Sequence, residues 1–115
     1  MARPVTLFTG QWADLPLEEV AKKAKGFGYD GLELACWGDH FDVEQGATSK
    51  AYCDDRHALL DKYGLKCFCI SNHLAGQLVS DRIDERHYGF APEAVAGDPV
   101  AAKAWAIDAM KKTAK

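Results

Sequence analysis

Five side chains that can bind or transform small polar molecules lie within, or shortly after, strand-like stretches of the chain. They are Trp12, Glu33, Trp37, His40 and His73. A carboxylate accepts hydrogen bonds from hydroxyl groups, an imidazole exchanges protons near neutral pH, and an indole packs against the apolar face of a ring. Since α/β proteins build their sites where parallel strands end, we predict that these five residues bind a substrate.

Each of these residues also has a structural interpretation. Glu33 interrupts an apolar run, so it needs a polar ligand or a lysine or arginine partner, because an unpaired buried charge is costly. His73 can bind a hydroxyl group or a metal, act as an acid or base, or form a hydrogen bond within its loop. Trp12 and Trp37 can stack on a substrate or pack their loops.

The segment around His40 is rich in acidic residues, namely Asp39, Asp42 and Glu44. This composition is similar to that of a metal cluster, but the spacing defines no coordination geometry. A solvated acidic loop is the alternative. The four cysteines show no CxxC spacing and are predicted to be free thiols. Cys67 and Cys69 are two residues apart, which predicts that both face the same side of a strand.

The elements that position these residues alternate between strands and helices. Apolar β-prone runs predict strands at residues 4–8, 31–35 and 65–70. Helical spacing predicts helices at about residues 15–27, 51–63 and 99–115, with Asp14 and Asp98 as N-caps and with Gly28 and Gly64 ending the first two helices. Residues 36–50 and 71–92 are predicted loops. This order predicts an α/β fold with a parallel βαβαβα segment.

Composition and charge exclude several classes of protein. The chain is 48% hydrophobic and 27% charged, as expected of a globular domain. Its net charge of −3 offers no basic surface for nucleic acid or an anionic membrane. It has no membrane-spanning apolar run and no signal-peptide pattern, so we predict a cytoplasmic protein. The stretch Gly26–Gly31 matches GxGxxG, but it ends a helix instead of opening one, which argues against a dinucleotide site.

The length of the chain suggests a part of a larger barrel. A complete (β/α)8 barrel takes about 250 residues, or roughly 31 for each unit, so this chain corresponds to three units and a long loop. A parallel sheet of three strands would leave two edges unpaired. We therefore expect residues 1–115 to be the N-terminal segment of a single barrel domain that is truncated in the third helix. A complete small α/β domain is the alternative.

Four stretches of the chain resemble the xylose isomerase-like TIM-barrel superfamily. They are Leu15–Ala21, Gly28–Leu34, Tyr63–Lys66 and Ser71–Gln77. The similarity extends over essentially the whole chain. The closer resemblance is to the sugar phosphate isomerase/epimerase branch, also called the AP endonuclease family 2 group. The helix-Gly-x-Asp-Gly-x-Glu-x pattern is widespread in that superfamily and indicates the fold more than the substrate.

The resemblance implies a (β/α)8 TIM barrel that acts as a sugar or sugar-phosphate isomerase or epimerase. In that family a divalent metal holds two substrate oxygens while carboxylates move a proton between adjacent carbons. The family's main metal ligands and acid–base pair lie on later strands. The metal, which would be Mn²⁺, Mg²⁺, Co²⁺ or Zn²⁺, is thus expected to bind beyond residue 115, with no catalytic or metal-binding residue in this segment, and the segment alone is expected to be inactive.

Two other functions are compatible with the same resemblance. One is a zinc-dependent AP endonuclease-like hydrolase, which the net charge of −3 disfavours because DNA-facing loops are basic. The other is a non-catalytic sugar-binding barrel. The expected partner is a small sugar or sugar phosphate, with neither nucleic acid nor membrane, and a homo-oligomer is compatible with the sequence.

Overall fold

The computed structural model describes residues 2–115, which form two compact units. The first unit ends at Ser71 and contains strands β1 (Thr6–Phe8), β2 (Gly31–Ala35) and β3 (Lys66–Ser71), helices α1 (Leu17–Gly26), α2 (Val43–Thr48) and α3 (Lys50–Lys62), and a 3-10 helix at Gly10–Trp12. The second unit contains α4 (His73–Ser80), α5 (Glu93–Ala96), α6 (Pro99–Thr113) and a 3-10 helix at Glu85–Phe90. Within the described residues, every helix is too short or too polar to cross a membrane.

The strands of the first unit form one parallel sheet in the order β1-β2-β3. This arrangement confirms the predicted α/β class and the parallel order of the strands. The central strand, β2, has the bounds that the sequence predicts, whereas β1 begins two residues later than predicted. β2 therefore places Glu33 in the middle of the sheet, between β1 and β3.

Helices α1 and α3 pack against one face of this sheet. Leu32 and Leu34 are buried on that face with Leu17 and Leu60, because alternate residues of a strand point to the same side. Glu33, between the two leucines, is half-buried on the opposite side. We call that opposite side the Glu33 face; its side chains are Phe8, Glu33, Phe68 and Cys69.

A β-bulge in the pairing of β2 with β3 changes which cysteine lies on which face. Leu32 pairs with Cys67 and Glu33 pairs with Cys69, so Phe68 is an additional residue in β3. Because Leu32 and Glu33 face opposite sides, Cys67 and Cys69 do so as well. The prediction that both thiols share a face is wrong, since the two-residue period holds only in a regular strand.

Strand β3 is also more exposed than an apolar run suggests. Phe68 keeps 48% of its surface exposed, and Cys69 is exposed. The ring of Phe68 lies against Gly31, where a larger residue would collide with it. The Glu33 face is thus accessible along β3 within the described first unit.

The helix ends follow the sequence in some places and depart from it in others. Gly28 and Gly64 adopt φ values of +89° and +64° after α1 and α3, which confirms their predicted role. Asp98 caps α6 as predicted, because its carboxylate accepts hydrogen bonds from the amides of Val100 and Ala101. The predicted cap at Asp14 is wrong, since α1 begins only at Leu17, after Pro16.

Two helices lie in stretches that the sequence predicts as loops. Helix α2 occupies part of 36–50, and Asp42 caps it by accepting a hydrogen bond from the Gln45 amide at 2.9 Å. Helix α4 occupies part of 71–92, and it buries Ala75 and Leu78 within the second unit. There α4 packs against α6. Val100, in the first turn of α6, is 81% exposed.

Candidate functional site

The Glu33 carboxylate lies in a cross-strand row on the Glu33 face. Phe8 of β1 is its register partner on one side, and Cys69 of β3 is its partner on the other. Neighbouring strands are about 4.8 Å apart, so these three side chains stand next to one another. Among the described residues of the first unit, ion pairs join Lys23 to Glu19, Lys50 to Asp54, Lys62 to Glu18 and Lys66 to Asp61, and Glu33 belongs to none of these four.

The partner of Glu33 in the structure is therefore a thiol. The Cys69 thiol lies beside the Glu33 carboxylate, because the two residues are register partners on the same face of the sheet. Burial raises the pKa of Cys69, and the negative charge of Glu33 and the hydrogen bond to it raise the pKa further. Cys69 consequently favours its protonated form, which is the form that donates to the carboxylate.

Phe8, which belongs to this row, forms an aromatic pair with Trp37. Their ring centroids are 6.0 Å apart and their planes are inclined by 74°, which is an edge-to-face contact. Gly10 is packed against both rings, and a side chain there would occupy the volume of the Phe8 ring. Trp37 is therefore the second residue after β2, and its half-buried indole contacts Phe8 of β1 and lies against Gly10, which follows β1.

His40 occupies a buried position between the loops that follow β1 and β2. The ring is fully buried, with its Nδ1 at 2.8 Å from the Oγ1 of Thr9 and its Nε2 at 2.9 Å from the carbonyl oxygen of Leu15. A carbonyl oxygen only accepts, so the neutral ring carries its proton on Nε2 and the Thr9 hydroxyl donates to Nδ1. The Thr9 oxygen in turn accepts a hydrogen bond from the Ala35 amide at 3.0 Å.

This network gives each ring nitrogen of His40 a hydrogen-bond partner within the protein. In this structure neither nitrogen is therefore open to a substrate. His40 therefore joins two loops in the structure, and its contact with a substrate stays a prediction. The solvated loop expected around it is found only in part. Asp39, Asp42 and Glu44 are exposed, whereas His40 is enclosed.

Two neighbours of His40 strengthen the contact between the same loops. The carboxylate of Asp39 accepts a hydrogen bond from the Leu17 amide at 2.9 Å and so caps α1 from a position 22 residues later in the chain. Gly38 has a φ of +63° and lies against the backbone of Ala13, where a Cβ would be 2.6 Å from the carbonyl oxygen. The segment Gly38–His40 therefore fits against the first loop, which fixes the start of α1.

The remaining two predicted residues are Trp12, in the first unit, and His73, in the second. Trp12 is half-buried in the 3-10 helix after β1 and packs against the hydrophobic core of the first unit. His73 is exposed at the first position of α4, in the second unit. The structure thus links Glu33 and Trp37 through Phe8 in the first unit. Trp12 packs against the core of the same unit, and the substrate roles of Trp12 and His73 stay predictions.

The other thiols near the sheet are poor nucleophiles. Burial raises the pKa of Cys36 to about 12, and burial also raises the pKa of Cys67. Both are half-buried and remain protonated at neutral pH. Within residues 2–115, no three side chains of histidine, cysteine, aspartate or glutamate form a group that could hold a metal ion.

Comparisons with known proteins leave the family undetermined. A scan against models of known protein families finds no match, and a search among curated proteins finds no match either. The arrangement itself supports one chemical interpretation. A carboxylate beside an aromatic pair, on an accessible sheet face, can accept hydrogen bonds from hydroxyl groups while the rings contact apolar C–H groups of the same molecule.

Proposed function

We propose that this chain is the N-terminal segment of a TIM barrel that acts as a metal-dependent sugar or sugar-phosphate isomerase or epimerase. In this proposal the segment forms part of the substrate pocket. The observation that supports this most directly is the position of Glu33. It lies at the centre of a parallel sheet, on the face opposite α1 and α3, with Phe8 beside it and with Trp37 in edge-to-face contact with Phe8. A sugar presents both hydroxyl groups and an apolar ring face, which match this combination.

In this proposal Glu33 accepts hydrogen bonds from substrate hydroxyl groups and Trp37 packs against the substrate ring. The described residues do not fit a metal centre, because no suitable group of three ligands exists among them. The proposal therefore places the metal ligands and the acid–base pair beyond residue 115. What this chain contributes is binding and orientation, which can lower the barrier by holding the reacting carbons in place.

The experiment that tests the proposal uses the full-length protein and a panel of aldoses, ketoses and their phosphates. Incubation in D₂O, followed by NMR, detects both isomerised product and deuterium introduced at the carbon that loses its proton. We expect turnover of at least one sugar, loss of turnover after chelation, and recovery when a divalent metal is restored. Absence of conversion and of deuterium exchange across the panel would contradict the proposal.

The same preparation distinguishes the alternatives. Cleavage of abasic DNA without sugar turnover would indicate the zinc-dependent endonuclease. Calorimetric binding of a sugar with neither turnover nor exchange would indicate a sugar-binding barrel. The net charge of −3 favours the sugar-directed functions over the DNA-directed one.

A further inference from the structure

The β-bulge places Cys69 next to Glu33. In a regular β3 strand Cys69 would share the face of Cys67, which lies against the helix-covered core. The additional residue Phe68 shifts the register, and Cys69 becomes the partner of Glu33. Bulges often redirect a side chain next to a functional site, so the position of this thiol calls for a functional interpretation.

Cys69 is also the polar neighbour of Glu33 in its cross-strand row. Phe8, on the other side, has a ring without a polar hydrogen, whereas Cys69 has a thiol hydrogen that the neighbouring carboxylate is able to accept. A carboxylate on an accessible face otherwise rotates among several orientations. A hydrogen-bond donor beside Glu33 engages one of the two carboxylate oxygens, so it determines which oxygen remains available to a bound molecule.

We propose that Cys69 is a positioning residue that orients the Glu33 carboxylate for hydrogen bonding to substrate hydroxyl groups. The role toward substrate rests on the proposed function, whereas the contact between Glu33 and Cys69 does not. A thiol is a weak donor, so it orients the carboxylate without neutralising its charge. An ammonium or guanidinium in the same place would form an ion pair and compete with the substrate for the carboxylate oxygens.

The contact has a consequence for thiol reactivity that can be measured without any substrate. The thiolate is the form that reacts with alkylating agents, and a neighbouring carboxylate disfavours it. Replacing Glu33 by glutamine removes the negative charge while keeping the size of the side chain. If the thiol pKa falls by about one unit, the thiolate fraction rises about tenfold, and the lower nucleophilicity of that thiolate reduces the gain in rate to about threefold.

The first experiment measures alkylation by iodoacetamide in the full chain across a series of pH values. Tandem mass spectrometry locates the modification and so separates Cys69 from Cys67. At pH values below the pKa of Cys69, we expect Glu33→Gln to raise the alkylation rate of Cys69 about threefold. The alkylation rate of Cys67 should stay unchanged. Glu19→Gln, which removes an exposed carboxylate from α1, is the matched control. Equal rates at Cys69 in the wild type and Glu33→Gln would overturn the contact.

The second experiment compares Cys69→Ala with Cys69→Ser in the full-length protein. Alanine removes the donor and serine keeps one, so we expect kcat/KM to fall about threefold in Cys69→Ala and to recover in Cys69→Ser, at unchanged melting temperature. Wild-type kcat/KM in Cys69→Ala would overturn the positioning role. If the wild-type protein turns over no sugar, the proposed function fails, and the alkylation rates still decide whether Glu33 and Cys69 are in contact.

Discussion

The Oγ1 of Thr9 and the Nδ1 of His40 lie 2.8 Å apart in the interior of the first unit. Thr9 directly follows β1, and His40 belongs to the loop that follows β2. The bond connects the two loops that carry Trp12 and Trp37. The same Thr9 oxygen accepts a hydrogen bond from the Ala35 amide, so one hydroxyl group bonds both to the end of β2 and to the loop that follows it.

Thr9→Val should destabilise the protein by about 1–3 kcal/mol, because it leaves the Ala35 amide and the His40 ring without their partner in a buried site. Valine has nearly the same shape as threonine, so the change isolates the hydroxyl group. Thr9→Ser keeps that group and is the matched control, with a smaller expected loss. Urea unfolding measures the free energy of each variant. Equal stability of the valine and serine variants would show that the hydroxyl contributes nothing.

The pair Thr9 and His40 should also show energetic coupling. His40→Phe keeps an aromatic ring but removes both nitrogens, which hold Thr9 and the Leu15 carbonyl. In a double-mutant cycle with Thr9→Val, we expect a coupling energy of about 0.5–3 kcal/mol, as found for residues in one hydrogen-bond network. Unfolding free energies of the two single variants and the double variant give this value. Simple additivity would mean that the two side chains stabilise the loops independently.

Asp42 should make stability depend on pH in the acidic range. Hydrogen bonding to the Gln45 amide lowers the pKa of Asp42 below its ordinary value of 3.8. A lowered pKa in the folded state stabilises the protein above the unfolded pKa, and this stabilisation is lost as the pH falls through the folded value. Asp42→Asn keeps a capping oxygen that does not titrate, so its unfolding free energy should fall less between pH 6 and about pH 3. Parallel losses in the wild type and the asparagine variant would contradict this assignment.

On the proposed function, Trp37→Ala should weaken sugar binding in the full-length protein by about 1–3 kcal/mol, the scale for removal of a large apolar contact. The expected kinetic result is a higher KM, measured with the best sugar of the panel. Trp105→Ala, in α6 of the second unit, is a control for the loss of an indole elsewhere. If Trp37→Ala leaves both KM and kcat unchanged, the indole serves only to pack against Phe8.

The 115-residue chain by itself should show no isomerase turnover when Mn²⁺, Mg²⁺ or Co²⁺ is added. The reason lies in the proposed function, which places the metal ligands and the acid–base pair on later strands of the barrel. The measurement is the same NMR assay of product and deuterium incorporation, with the full-length protein as the positive control. Turnover by the short chain would refute the expectation that the metal ligands lie beyond residue 115.

The regular parts of the fold could be predicted because their signals are local. The run Gly31–Ala35 is apolar and bounded by turn residues, and both of its predicted ends match the structure. The pair Asp98 and Pro99 starts α6 where the capping pattern predicts. Helix α4 was missed because Gly76 and the polar Ser71–Asn72 pair suggest a loop. The spacing of Ala75 and Leu78, which the structure buries, is the signal that favours a helix there.

The candidate site was predictable in its residue types but less so in its geometry. The alternation of Leu32, Glu33 and Leu34 correctly predicts that Glu33 faces away from the helix-covered core. The capping of α1 by Asp39 links residues 22 positions apart, and no local pattern indicates it. The burial of His40 likewise depends on Thr9 and Leu15, which are distant in the chain. The position of Cys69 depends on a bulge, which the run Cys67–Ile70 does not reveal.

The irregular pairing of β3 also bears on how the protein behaves at high concentration. Among the described residues, β1 and β3 are the edge strands of the sheet. The unpaired backbone groups of an edge strand can pair with another chain, which is how fibrils begin. A stacked cross-β fibril requires long, straight strands in register. A bulge bends its strand and increases the local twist, so the irregular pairing at Phe68 and Cys69 makes β3 a poorer template for stacking. Removal of the extra residue should therefore increase fibril formation even where it preserves the sheet.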